Sequence, residues 1–168
     1  MKGRGNERLE SLLDEYEKDL NREFIGNKAD FYFGKWEKMR KNSSAMNLYS
    51  WNWGAVLFGP VWYAYRKMYL ISILYYGLII GASVVLSYFL EKDIPNSAFG
   101  GGLLVFGMFG NYTYLDFISK KTRKIDEDAT KDEMEKLEEC KKQGRTDLRA
   151  ALLAAIPILI GGILEIIR

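Results

Sequence analysis

The stretch SWNWGAVLFGPVWYAYRKMY, Ser50 to Tyr69, decides the fold. Trp51, Trp53, Trp62, Tyr63, Tyr65 and Tyr69 each join an apolar ring to a hydrogen-bonding tip, and such rings settle where hydrocarbon gives way to headgroups. Arg66 and Lys67 follow as a basic edge, and Tyr69 opens an uncharged run that continues to Leu90. The order of aromatic belt, basic edge and apolar run predicts a membrane-entry element leading into a helix of ~33 Å, enough for a ~30 Å hydrocarbon core. Trp51 to Tyr65 alone reaches only ~22 Å as helix. It is interrupted by Gly59-Pro60, and a proline inside a helix frees a carbonyl that lipid cannot satisfy. An interfacial or re-entrant aromatic helix is therefore expected at 51–65, with Trp51, Trp53, Trp62, Tyr65, Arg66, Lys67 and Tyr69 at the membrane interface.

Downstream, Gly77 and Gly81 form a GxxxG pair on one face of the 69–90 helix, with Ser83 and Ser87 nearby. Small residues let helices approach closely in lipid, so this face is expected to pack on another helix of the chain. Glu91 to Ser97 reads as a short hairpin and 98–115 as a return across the membrane, smoothed by Gly100, Gly101, Gly102, Gly107 and Gly110. Asn111 and Thr113 then place polar groups near its cytoplasmic end, read as an interhelical hydrogen bond in preference to a ligand site. Gly77, Gly81, Gly107, Gly110 and Asn111 are the expected packing positions. Tyr112, Tyr114 and Phe117 supply a second aromatic belt before Lys120, Lys121, Arg123 and Lys124. Residues 148–168 are a third apolar stretch, able to span if Arg149 and Glu165 reach opposite headgroups, with a bend at Pro157.

The flanks are of another kind. Almost all of the 24 basic and 22 acidic residues lie before Asn42 or between Asp116 and Arg149. Residues 1–48 read as a cytoplasmic helical region. Its first helix, Glu7 to Asp19, carries Leu9, Leu12, Leu13 and Tyr16 on one face behind an Asn6 cap. Ala29 to Met39 follows Gly26-Asn27 as a helix whose Phe31, Tyr32, Trp36 and Met39, rimmed by Lys28, Lys35, Lys38, Arg40 and Lys41, can either lie on an anionic membrane or pack on the next segment. Residues 49–124 form the membrane core and 125–147 a charged, solvated helix with Ala129, Met134, Leu137 and Cys140 on its sparse apolar side. The fold expected is all-α: a small polytopic membrane protein with two to three transmembrane helices. Basic residues beside the first and second spans, against Lys92 alone in the hairpin, put the N-terminus in the cytoplasm.

Composition removes several classes of function. A net charge of +2, with Lys and Arg interleaved among Asp and Glu, argues against nucleic acid as a partner. With no histidine and one cysteine the chain assembles neither a zinc set nor a disulfide, and no cofactor is expected. The mean hydropathy of −0.16 hides the membrane signal by averaging charged flanks with uncharged runs. No secretory signal precedes the first span, which is expected to direct insertion itself.

Phe24-Ile-Gly-Asn-Lys-Ala-Asp-Phe-Tyr, Lys35-Trp36, Trp51-Asn52-Trp53, Phe58-Gly59-Pro60, Trp62, Tyr65-Arg66-Lys67-Met68-Tyr69, Gly110-Asn111 and Tyr114 together resemble the bacterial membrane-protein family catalogued as domain of unknown function 2628. The resemblance runs from Phe24 to Lys124. It implies a bacterial inner-membrane location and brings no reaction or ligand. From the residues, the leading expectation is a non-enzymatic subunit or adaptor of a cell-envelope complex, with the bilayer and a protein partner or second copy as its contacts. The alternative is a pore, holin-like or transport component of glycine-faced helices. An enzyme acting on lipid ranks third, resting only on the positions of Asp30, Asp116 and Glu165.

Overall fold

The computed structural model describes residues 11–12, 18–41, 50–91 and 100–167, and every regular element among them is α-helix. The elements are α1 (Asp19–Ile25), α2 (Ala29–Lys41), α3 (Trp53–Phe58), α4 (Pro60–Tyr65), α5 (Tyr69–Leu90), α6 (Gly100–Asp126), α7 (Glu133–Gln143) and α8 (Leu148–Ile167). They fall into two compact units, Met1–Asn52 with Met108–Arg145 and Trp53–Gly107 with Thr146–Arg168, so α6 contributes its first turns to one and the remainder to the other. Most of the expected 7–19 helix, its Asn6 cap, and the hairpin after Glu91 lie outside the described residues.

In the first unit, α2 buries Ala29, Tyr32, Phe33, Trp36 and Met39, a helical stripe. The facing stripe on α6 is Asn111, Tyr114, Leu115, Ile118, Thr122 and Ile125. Tyr32 meets Tyr114 edge to face at 4.7 Å, and Trp36 Nε1 donates to the Asn111 carbonyl at 3.0 Å. Of the two readings open for the aromatic face of α2, packing accounts for Tyr32, Trp36 and Met39, while Phe31 stays outside.

Residues 125–144 depart from the single solvated helix expected there. Helix α6 ends at Asp126, and Asp128 accepts from the Thr130 amide and pairs with Lys131 at 2.9 Å. The Lys131 hydrogen bond, then those from Thr130, hold the Asp128 carboxyl well below the usual carboxylate range. Asp132 then starts α7 with a reciprocal capping box to Glu135. Most of α7 is exposed to solvent as expected, but its sparse apolar side docks on α1: Cys140 is fully buried, and the Arg145 amide donates to the Phe24 carbonyl. A Cβ on Gly144 would come within 2.1 Å of that same carbonyl oxygen, so only glycine closes this junction.

In the second unit, the aromatic segment breaks where Gly59-Pro60 stands. Gly59 adopts φ +47°, and Pro60 occupies the first turn of α4, where its missing N–H removes no helical bond. The Pro60 carbonyl accepts from the buried Ser72 hydroxyl at 2.8 Å, which ties α4 to α5. Lys67, at φ 60°, turns the chain into α5. Behind the turn, Tyr63 donates to the Phe106 carbonyl at 3.1 Å, and the Tyr75 and Phe106 rings lie 4.0 Å apart.

Candidate membrane-embedded surface

Two helices among the described residues are long and apolar enough to cross a membrane, α5 and the apolar helix α8. In a soluble protein such helices would form the core, yet only 11% and 6% of their most apolar windows are buried. Ile73, Leu78, Val84 and Phe89 on α5 face outward, as do Leu152, Leu159 and Ile163 on α8. On α3, Trp53 (63% exposed), Leu57 and Phe58 extend the same uncovered apolar character. Monomeric soluble proteins rarely leave contiguous apolar patches of more than a few hundred Å² in water. Helix α6 is not one of the two: Asn111, Thr113 and Asp116 punctuate it, and Asn111, Tyr114 and Leu115 are buried in protein.

A polar corner fixes how α5 and α8 begin. The Tyr69 hydroxyl donates to Asp147 Oδ2 at 2.8 Å, and the Asp147 amide donates to the Tyr65 carbonyl at 2.8 Å. Asp147 Oδ1 in turn accepts from the Ala150 amide at 3.0 Å, capping α8. That backbone bond, followed by the Tyr69 hydroxyl, holds the Asp147 carboxyl below the ordinary carboxylate range. Seven residues further along each helix, the Tyr76 hydroxyl donates to the Ala154 carbonyl. The two helices therefore run parallel from one corner.

The first unit carries a second polar cluster. Asn111, fully buried, accepts from Asn52 Nδ2 at 2.8 Å through its Oδ1 and donates through Nδ2 to Ser50 Oγ at 2.9 Å. The Ser50 and Trp51 carbonyls, at 3.2 and 3.3 Å, share the same donor, and Ser50 N donates to the Met108 carbonyl. A buried amide with its polar atoms engaged is a structural fastener.

The residues expected at the membrane interface thus divide. Trp53 and Tyr69 are exposed, Trp51, Tyr65 and Lys67 half-buried. Trp62 and Arg66 are buried in protein, the guanidinium lying 5.6 Å from the Tyr65 ring centre. Of the packing positions, Gly107 is closely covered, since a Cβ there would sit 2.0 Å from Val56 Cγ2, and Gly110 and Asn111 are buried. Gly77 and Gly81 differ from expectation: a Cβ on either meets nothing within 4 Å among the described residues. The GxxxG face is smooth, but no described helix of this chain lies on it. Asp147, Asn52 and Ser50 escaped notice in the sequence. An aspartate directly before an apolar run is a recognisable helix start, whereas nothing local marks the other two.

The family described as Protein of unknown function (DUF2628) matches residues 15–119. That span takes in α1 to α5 and most of α6, and leaves α7 and α8 outside. No curated protein and no solved structure matches the chain. Since the match covers more than half of the sequence and includes both the Gly59-Pro60 break and Asn111, the chain belongs to the family described as Protein of unknown function (DUF2628).

Proposed function

We propose that this is a multi-pass integral protein of a bacterial inner membrane, with its N-terminal side in the cytoplasm, serving without catalysis as a subunit or adaptor of a cell-envelope complex. The observation that carries the reading is the pair α5 and α8, whose apolar side chains are left uncovered along two helices of spanning length. Their common corner adds direction. Parallel helices enter a bilayer from the same face, so the chain between them must recross it, a role we give to the return segment expected at 98–115; Arg66, Lys67, Arg145 and Arg149 belong to the chain beside that corner, which favours the cytoplasmic side. The charged helices α1, α2 and α7 pack into a unit of their own, a suitable platform for a protein partner.

Two measurements test this reading. The protein should stay in the pellet after carbonate and high-salt washing, and release into the supernatant removes the membrane assignment. A stoichiometric partner recovered in gentle detergent supports the adaptor role. A second reading draws on Gly77 and Gly81, whose open face leaves room for another copy in a pore or transport assembly. Ion conductance of the purified protein in planar bilayers, with no partner in the pull-down, would favour that assembly.

A further inference from the structure

We infer that the outward face of α2 is a docking surface for anionic lipid headgroups. With one side of α2 buried, Lys28, Phe31 and Lys38 remain exposed on the other, and half-buried Lys35, whose Nζ donates to the Trp51 carbonyl at 3.5 Å, completes the stripe. Phe31 is 55% exposed at the centre of the stripe, with Lys35 Nζ 5.7 Å from its ring centre. Gly34 lies beside it with open space where a side chain would stand, so a flat surface can come close. The carboxylates of the helix are already engaged, exposed Asp30 by Arg22 at 2.8 Å and Glu37 by Lys41 at 3.2 Å. Lys28 and Lys38 are exposed and have no carboxylate within ion-pair distance among the described residues.

A basic stripe around one protruding aromatic ring matches a membrane surface: lysines meet phosphate oxygens while the ring enters the acyl boundary. An acidic protein is the other anionic partner such a stripe can meet. Lipid is favoured because the chain is tethered to a bilayer through α5 and α8, which keeps headgroups at high effective concentration. The inference rests on that membrane assignment.

The test places an environment-sensitive fluorophore on Gly34→Cys, a position whose side chain meets nothing, with the buried Cys140 left in place. The protein is reconstituted in nanodiscs of phosphatidylcholine alone, or of phosphatidylcholine and phosphatidylglycerol two to one. Failure of the protein to co-elute with discs of either kind overturns the membrane assignment itself. With the protein incorporated, the label should shift to the blue and be quenched by spin-labelled lipid in the anionic discs only, and revert at high salt. Lys28→Glu with Lys38→Glu should lower the docked-to-undocked ratio by on the order of tenfold or more. Identical spectra in both kinds of disc, or docking untouched by the charge reversal, overturn the inference. So does a label that ignores anionic discs but responds to added polyglutamate, which would assign the face to an acidic protein.

Discussion

Replacing Asn111 by leucine keeps most of the side-chain volume and removes both polar atoms of a fully buried amide. The bond from Asn52 Nδ2 and the bond to Ser50 Oγ, with the shared Ser50 and Trp51 carbonyls, are lost. Each such bond contributes about 1 kcal/mol net, and a buried donor left without an acceptor costs a further ~1–3 kcal/mol. Asn52, itself buried, loses the acceptor that Asn111 Oδ1 gives its Nδ2. The expected loss is therefore about 3–5 kcal/mol, or about 6–20 °C at ~2–4 °C per kcal/mol for a chain of this size. Thermal unfolding in a mild detergent, followed by circular dichroism, reads it. The sharper measurement is the cycle with Asn52→Leu. Because removing both partners leaves no Asn52 Nδ2 deprived of its Asn111 acceptor, the double variant should be at least ~1 kcal/mol more stable than the sum of the single losses implies. A single variant within ~0.5 kcal/mol of the parent, or a cycle that closes additively, would refute the fastener reasoning.

The glycines divide into two groups. Gly144→Ala and Gly107→Ala should lower the melting temperature clearly, by roughly 2 kcal/mol or more, the first because its Cβ meets a backbone carbonyl oxygen that cannot swing away. Gly77→Ala and Gly81→Ala should be neutral or stabilising by up to ~1 kcal/mol; losses equal to that of Gly144→Ala would place a helix on the GxxxG face. Burial pushes the Cys140 thiol up to about 11, so a maleimide should react with the folded protein far more slowly than with a thiol introduced at exposed Gly34, and rapid labelling at pH 7 would expose a loose α1–α7 junction. With its folded pKa above the ordinary thiol value of 9.0, this thiol contributes stability that is fully present below that value and is lost as pH rises toward 11, measurable as an alkaline decline that Cys140→Ala lacks. Asp147→Ala should loosen the start of α8 through the lost cap and speed tryptic cleavage after Arg149, with Tyr69→Phe weaker; equal cleavage rates in all three proteins would contradict the corner. Because the Asp147 carboxyl is held low, its contribution should persist above the ordinary carboxylate pKa and fade as pH falls.

How much of this was legible in the sequence depended on the range of the interaction. The all-helical class, the apolar runs that became α5 and α8, and the interruption at Gly59-Pro60 follow from uncharged length and backbone chemistry, which act within a few residues. Asn111 was recognisable as a polar residue that needs partners, but Asn52 and Ser50 stand 59 and 61 positions away. The GxxxG pair told only that a surface is smooth, and no local pattern states whether anything rests on it. Cys140 looked solvated because its own helix is mostly charged, and its burial comes from α1, far back in the chain. The same distance concealed the inward turn of Trp62 and Arg66, two side chains whose chemistry alone is suited to a headgroup layer.

The clasp at Tyr69 and Asp147 has a consequence for the order of assembly. During synthesis α4 and α5 emerge well before α8, so the Tyr69 and Tyr76 hydroxyls must wait for partners that lie 78 positions further along the chain. Until Asp147 arrives, those groups stay hydrated or borrowed by the insertion machinery. Docking of α8 then becomes a late step that closes this unit, and quality-control proteases that sense exposed polar groups in lipid would act in the interval before it.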